Sequence, residues 1–503
     1  MTAAPPHARR RFTGRDPDEP HRTATPLELL FDLTIVVAFG TASDQLSHYV
    51  AEDHVTTGVL GFAFASFAVS WAWLNYSWFA SAYDTDDWVF RLATMVEMIG
   101  VIVVALGLEQ MFASIDHGDT LDNGVMVAGY VVMRVPLVFL WWEVSRQDPA
   151  HRRAAHTYMA TVGTAQVGWV LLAIFGLGVN VSLAAFALLL FVELAGPAVA
   201  ECKSRTPWHP QHIAERYGLL VIITLGEVII GTVAALNALV HGEAGWTVDA
   251  ALLAVAGVGL TFGCWWMYFA VPWGEPLARH RERAITFGYG HLFIFAPLAA
   301  MGGGLHVAAL LLGEEAKIGE TAAVLSVAIP FGIFAGVFYA LYSILMRTGD
   351  PFHLGLLAAT TALLVLSLLL AAAGVSMAVC LIVLMLAPPC RLRGALAPAH
   401  GRGDRAALSG VLQWHGDREA ARGRAQEREE GAGRRAEEAD AQEPAGKDAH
   451  RARQGGRRRP PRRRADAQGA RGRGPPARHQ GPLEDGQGRA QARRRAGEVG
   501  RRR

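Results

Sequence analysis

Cysteine is scarce in this chain of 503 residues, and no two cysteines are spaced as CxxC. The four are Cys202, Cys264, Cys380 and Cys390. The spacing predicts neither a disulfide framework nor a zinc site. The sequence also lacks a nucleotide-binding loop, a GxSxG motif and an HExxH motif. We therefore predict no catalytic residues, no metal and no cofactor, and we favour a function other than catalysis.

The end of the chain lacks most of the residue types that build a core. Residues 391–503 contain no Ile, Phe, Tyr, Met, Thr or Asn, and they hold 29 Lys+Arg against 15 Asp+Glu, a net charge of +14. Residues 1–390 hold 18 against 30, a net of −12. We expect residues 389–503 to be a disordered tail rich in Arg, Ala and Gly. The composition favours a frameshift near residue 387; the alternative is a genuine tail attracted to anionic lipid or nucleic acid.

Charged residues are sparse between residues 27 and 388, where apolar segments follow one another with short interruptions. Runs of about 18 or more apolar residues are typical of membrane spans. The sequence predicts an all-α, polytopic transmembrane helix bundle with about twelve spans, the last of which has only 15 residues. The segments are 28–50, 55–80, 92–113, 124–144, 155–175, 178–199, 217–240, 247–271, 284–312, 321–346, 353–371 and 374–388.

Lys and Arg are distributed unevenly among the predicted loops. Eleven lie in loops that follow even-numbered spans, whereas the loops after odd-numbered spans carry only Lys317. Basic residues mark the cytoplasmic side of a membrane protein. We therefore expect both termini in the cytoplasm, with residues 1–26 as a polar cytoplasmic segment.

A weak internal repeat links two stretches 192 residues apart. In "WLNYSWFASAYDTDDWVFR" (73–91) and "WWMYFAVPWGEPLARHRER" (265–283), Trp73, Tyr76 and Arg91 fall on Trp, Tyr and Arg. The offset equals six spans, so it predicts two parallel halves, 27–200 and 212–388, an arrangement known in transporters. The alternative is chance similarity between apolar segments.

Several ionisable residues interrupt the predicted spans. A charge at the bilayer centre costs about 2.5–3.5 kcal/mol on insertion scales, so such residues find partners and mark function or a structural ion pair. Arg134 is the basic residue deepest in the predicted bundle, and we expect it to pair with Asp32, Glu97 or Glu227. The alternatives are a static network that holds the helices, a pathway for a proton, a cation or a charged substrate, and protonated acids with no specific role. The candidates are Asp32, Glu97, Arg134, Glu193, Glu227 and His291.

Local patterns explain some other polar residues. Thr25, Pro26 and Glu28 form a predicted capping box, so Glu28 has a local role at a helix start. The spacing of His209, His212 and Glu215 resembles that of metal ligands, but we favour a wet interfacial segment. Glycines 302–304 predict close helix packing, with an unwound span as the alternative.

Three stretches resemble a known family. "LELLFDLTIVVAFG" (27–40), "HIAERYGLLVIITLGEVIIG" (212–231) and "RHRERAITFGYGHLFIFAPLAAMG" (279–302) are similar to conserved blocks of the bacterial low temperature requirement protein A family. The resemblance covers about residues 25–388 and implies a multi-span membrane protein of the bacterial cytoplasmic (inner) membrane, without a defined biochemistry. The matching residues are Glu28, Phe31, Asp32, Glu215, Arg216, Gly226, Glu227 and His291.

Three functions are compatible with these patterns. The first is a secondary transporter or permease that uses buried carboxylates for proton or cation coupling. The second is a membrane enzyme or lipid-related membrane factor that supports growth at low temperature, and the third is a structural or assembly component without transport activity. The expected partners are the lipid bilayer and a small molecule or ion, with no specific nucleic acid; the sequence indicates no oligomeric state.

Overall fold

The computed structural model describes residues 9–19, 22–118, 120–241, 245–347 and 351–387. Helices account for most of this part of the chain, which contains no strand beyond one isolated bridge between Thr120 and Gly178. The all-α prediction is confirmed. The α-helices are α1 Pro26–Ala51, α2 Val55–Tyr83, α3 Trp88–Leu106, α4 Leu108–His117, α5 Gly124–Gln147, α6 Arg152–Phe175, α7 Val179–Lys203, α8 Pro210–His241, α9 Val248–Phe269, α10 Gly274–Arg279, α11 Ala284–Leu312, α12 Glu320–Met346, α13 Pro351–Ala372 and α14 Met377–Met385.

Eleven segments of the described chain are long and apolar enough to cross a membrane. The twelfth predicted segment forms only α14, a helix of 9 residues. Two of the spans each contain two consecutive α-helices. The span Trp88–His117 contains α3 and α4, which meet at Gly107, and the span Val248–Arg279 contains α9 and α10. The predicted tail, 389–503, lies outside the described residues, which end at residue 387, the predicted frameshift position.

The centre of the bundle is α11, which packs against α8, α12 and α1. The glycines at its middle allow very close approach, as the sequence predicts. A Cβ added to Gly302 would lie 2.5 Å from the Glu227 carbonyl of α8, and one added to Gly304 would lie 2.4 Å from the Ser326 carbonyl of α12. α11 runs without interruption through Gly302–Gly304, so the unwound alternative is wrong.

Helices follow one another in the same packing order in both predicted halves. In the first half α1 packs on α2 and α3, and α3, α5, α6 and α7 pack in series. In the second half α8 packs on α9 and α11, and α11, α12, α13 and α14 pack in series. α1 and α8 both begin at a proline, Pro26 and Pro210. The division into two copies stays a prediction that this order supports.

The polar segment before α1 lies on one end of the bundle. Phe12 is fully buried, with its ring centroid 6.3 Å from that of Phe79 on α2. The Phe12 amide donates to the Gln147 side-chain oxygen (3.0 Å), and the Gly14 amide donates to an Asp148 carboxylate oxygen (3.3 Å). This segment is therefore packed against the ends of α2 and α5.

Candidate functional site: two buried charge clusters and an isolated carboxylate

The start of α1 is fixed by the predicted capping box. The Thr25 amide donates to the Glu28 carboxylate (2.7 Å), and the Glu28 amide donates to the Thr25 hydroxyl (3.3 Å). Pro26 occupies the first turn, where a missing N–H costs nothing. The cap places Glu28 and, one turn further along, Asp32 on the side of α1 that faces the other helices, and both side chains are fully buried.

Asp32 meets Arg216 of α8 inside the bundle. Arg216 Nη1 lies 2.7 Å from Asp32 Oδ2, and the other carboxylate oxygen accepts a hydrogen bond from the Trp73 indole at 2.6 Å. Arg216 Nη2 also donates to the Ser77 hydroxyl at 3.1 Å. The Arg216 guanidinium lies over the Trp73 ring, 5.5 Å from its centroid. Every part of this ion pair is thus held by α1, α2 and α8.

Glu28 meets His212, which precedes Arg216 by one turn of α8. His212 Nε2 lies 3.1 Å from Glu28 Oε1, and Arg216 Nε lies 3.9 Å from the same oxygen. All four side chains of this α1–α8 cluster, Glu28, Asp32, His212 and Arg216, are fully buried. Two carboxylates face one guanidinium and one imidazole, so the charges balance when His212 carries a proton.

Sequence reasoning missed the role of His212. The favoured interpretation placed it in a wet interfacial segment, but the structure buries it completely against Glu28. The signal was present in the spacing: His212 and Arg216 are four residues apart, as are Glu28 and Asp32, so each pair lies on one helix face. No group of three or more His, Cys, Asp or Glu among the described residues could hold a metal ion.

Arg134 belongs to a second cluster. Its Nη2 lies 3.5 Å from Glu193 of α7 and 2.5 Å from the Tyr130 hydroxyl. The Trp71 and Trp169 indoles donate to the Glu193 carboxylate at 2.5 and 3.2 Å. Arg134 therefore pairs with Glu193, which was not among the three acids expected as its partner.

Glu97 of α3 is buried near this second cluster without joining it. Its side chain is 2% exposed, and its Oε1 has no hydrogen-bond partner among the described residues. Arg134 lies within electrostatic range but beyond the 4.0 Å of an ion pair. Glu97 thus differs from Asp32 and Glu193, whose carboxylates are hydrogen-bonded and paired.

Glu227 lies at the middle of α8, where it faces Gly40 of α1. A Cβ added to Gly40 would lie 3.3 Å from Glu227 Oε1. The Glu227 side chain is 7% exposed, and within the described chain its carboxylate forms neither an ion pair nor a hydrogen bond. One turn beyond Gly40, Asp44 is exposed and lies 3.2 Å from His306 Nδ1 of α11. Glu227 is therefore a buried acid without a partner among the described residues. The exposed Asp44–His306 pair lies one helical turn further along α1 than Gly40, which Glu227 faces.

His291 has a different environment from the acids. The Phe287 carbonyl accepts from Nδ1 (2.7 Å), so the proton is on that nitrogen, and Nε2 is 2.8 Å from the Tyr268 hydroxyl. The ring is fully buried among the rings of Phe287, Phe295 and Tyr217. His291 therefore lies in an aromatic environment, away from both charge clusters.

The structure thus separates the candidate residues into several environments. Asp32 and Arg134 belong to different clusters, and Glu227 joins neither. The family-motif residue Arg216 belongs to the α1–α8 cluster. The Phe31 ring packs against Tyr76 of α2, with the two ring centroids 4.0 Å apart. Gly226 has open space around it. A single shared site of Asp32, Glu97, Arg134 and Glu227 is therefore not present.

Long apolar helices that enclose paired charges define this chain as a multi-pass integral membrane protein. The sequence matches the family of the bacterial low temperature requirement A protein (LtrA) over residues 23–388. The chain belongs to that family, which confirms the resemblance found in the sequence.

The chain is also similar to an uncharacterized protein of Rhizobium meliloti (strain 1021). The two are 28% identical over 285 residues, which is 53% of this chain and 64% of that relative. The chain therefore spans less than two thirds of the relative's length in this match. No solved structure matches the chain.

Proposed function

We propose that this protein is a secondary transporter or permease of the bacterial cytoplasmic membrane, coupled to a proton or cation, with both termini in the cytoplasm. The observation that supports the proposal is Glu227, an acid buried at the middle of a spanning helix without a partner among the described residues. Ionisable groups within membrane bundles are expensive and typically mark ion pathways.

The surroundings of Glu227 are suited to taking up and releasing a proton. A buried carboxylate without a partner is strongly disfavoured when it is charged, so a proton or a cation stabilises it. Asp44 and His306 form an exposed pair about one helical turn away, toward the end of α1. They supply exchangeable groups between the surface and Glu227, as a relay requires.

Asp32 has a different role in this proposal. Its two oxygens are taken by Arg216 and the Trp73 indole, so it is a poor group for repeated loading and release. The α1–α8 cluster instead joins the first helices of the two predicted halves. We assign it to holding these helices together while other parts of the halves move, as parallel-repeat transporters do.

The alternative is a structural, assembly or lipid-related membrane factor that supports growth at low temperature without transport. The ion pairs around Arg216 and Arg134 favour it, because a static network needs charges that are paired with one another. That alternative does not explain why Glu227 and Glu97 are buried without an ion-pair partner among the described residues.

Flux in liposomes separates the two functions. The purified chain is reconstituted with a pH-sensitive dye inside, and an imposed potential drives protons or cations inward. Transport predicts flux above that of empty liposomes. Absence of flux for every ion tested, together with altered lipid composition in cells without the protein, supports the alternative.

A further inference from the structure

A cavity lined by aromatic rings lies between α2, α6, α7, α8 and α11, where the two predicted halves meet. Water-sized groups have about 20 Å³ of free room in it, and the larger space of about 310 Å³ around that room includes open solvent. Five of its lining residues are aromatic: Trp71, Trp78, Tyr158, Tyr217 and Tyr289. This cavity is separate from the isolated Glu227 and from the Asp32–Arg216 ion pair.

The hydrogen-bond donors of four of these rings are already used outside the cavity. The Trp71 indole donates to Glu193 (2.5 Å), whereas the Trp78 indole and the Tyr158 hydroxyl donate to Glu201 (3.1 and 3.0 Å). The Tyr289 hydroxyl donates to the Leu194 carbonyl (2.6 Å). Tyr158 also stacks on Trp141, and Trp71 stacks on Phe67. What these rings leave for a ligand is therefore their remaining π surface, which attracts cations.

The polar atoms that remain free on the walls are able to accept hydrogen bonds. The Tyr217 hydroxyl is fully buried and has no partner within the described part of the chain. Asn75 Nδ2 donates to the Trp71 carbonyl (2.8 Å), which leaves the Asn75 amide oxygen as an acceptor at the cavity wall. An ammonium group donates to both kinds of oxygen, and an amide oxygen does not bind an anion.

The charge behind the walls is negative. Arg134 neutralises Glu193, but Glu201 accepts bonds from Thr206, Trp78 and Tyr158 without a cation within 4.0 Å in the described structure. Arg281 acts on Glu201 only from further away, since its guanidinium lies over the Trp208 ring (4.4 Å). Carboxylates that accept from the indole and phenol groups also make those rings richer in electrons, which strengthens their attraction for a cation.

We propose that this cavity binds a small organic cation of the alkylammonium class. The rings of Trp71, Trp78 and Tyr158 surround the charged end, and the oxygens of Tyr217 and Asn75 accept its N–H groups. Only the identification of this ligand as the transported substrate rests on the proposed function. Binding itself requires no transport.

Binding is tested on the full chain in lipid nanodiscs by isothermal titration calorimetry. The probes are n-propylammonium, propionate and n-propanol, which share size and differ in charge. The cation is expected to bind at least about tenfold more tightly than the other two, since only it gains from rings and acceptors together. Equal binding of the three, or tighter binding of propionate, overturns the proposal.

Two variants locate the binding in this cavity. A Cβ added to Gly288 would lie 3.0 Å from the Tyr217 hydroxyl, so Gly288→Ala fills the space that the ammonium needs. Gly163→Ala is the matched control, because a Cβ there meets nothing within 4 Å. Gly288→Ala is expected to weaken n-propylammonium binding about tenfold, whereas Gly163→Ala leaves it unchanged.

Tyr217→Phe keeps the ring and removes the acceptor oxygen. It is expected to weaken the binding of n-propylammonium about tenfold and to leave the binding of tetramethylammonium, which has no N–H, unchanged.

Thermal unfolding of each variant in the same nanodiscs confirms folding, and Tyr217→Phe alone carries the test if Gly288→Ala does not fold. Unchanged n-propylammonium binding in the folded variants contradicts the assignment. Lost flux with binding retained contradicts the transport function alone.

Discussion

Arg216 of α8 contacts Asp32 of α1 at 2.7 Å, and one turn earlier on both helices His212 contacts Glu28 at 3.1 Å. Each basic residue follows its acid by 184 positions. The two helices therefore run side by side in the same direction with their charges in register. This double contact joins the first helix of each predicted half, and it explains why both acids lie on one face of α1.

The Asp32–Arg216 ion pair is predicted to be required for folding. Arg216→Ala leaves Asp32 buried without its cation, and removing one partner of a buried pair typically costs about 3–5 kcal/mol. We expect a marked loss of folded protein and a lower melting temperature in detergent. The double variant Asp32→Asn with Arg216→Gln should recover part of the loss. Equal stability of Arg216→Ala and the wild type would contradict the cluster.

Arg216→Lys is expected to destabilise the protein although it keeps the charge. A single ammonium cannot reach Asp32 and Ser77 together, and it stacks poorly on the Trp73 ring. The measurement is the melting temperature, with Arg279→Lys as the control because the Arg279 side chain is 74% exposed. A melting temperature that falls no further in Arg216→Lys than in the control would count against the simultaneous contact of Arg216 with Asp32 and Ser77.

The close crossing of α8 and α11 is predicted to tolerate no side chain at Gly231. A Cβ there would lie 2.3 Å from the Gly302 carbonyl, whereas a Cβ on Gly226 meets nothing within 4 Å. Overpacking of this kind costs about 1–3 kcal/mol. Gly231→Ala should therefore lower the melting temperature, and Gly226→Ala on the same helix should not. Similar melting temperatures for both variants would show that the helices can separate at this point.

Asp84, in the turn after α2, is predicted to make stability depend on pH. Burial and the nearby Glu28 together raise the pKa of its carboxyl from 3.8 to about 6, although the Asp86 amide and Arg22 oppose the rise. Because the folded state holds this proton more tightly than the unfolded state, the contribution to the free energy of unfolding falls as pH rises from 3.8 through about 6.

Asp84→Asn should remove that part of the pH dependence. Thermal unfolding in nanodiscs is followed across this pH range for Asp84→Asn and for Asp122→Asn, whose residue is exposed. The first variant is expected to lose less stability than the wild type as pH rises, and the second to follow the wild type. An unchanged profile in Asp84→Asn would mean that Asp84 is not the group responsible.

Sequence patterns predicted the features that depend on the chain alone. The capping box at Thr25 and Glu28 and the long apolar helices follow from local chemistry, and both are present. Which side chains meet between helices depends on how each helix is rotated about its axis and on how the helices pack. The residue pattern of one segment does not determine either. Hence Arg134 was assigned the wrong acids. His212 was placed in a wet segment because its partner Glu28 is 184 residues away in the sequence.

Glu227 carries the central claim, and proton flux in liposomes tests it most directly. Glu227→Gln removes the ionisable group with little change of shape, and Glu109→Gln is the control because that acid is exposed. The wild type and Glu109→Gln are expected to carry a proton or cation current, which Glu227→Gln loses while it keeps its melting temperature. An equal current in Glu227→Gln, or no current in the folded wild type, would contradict the account.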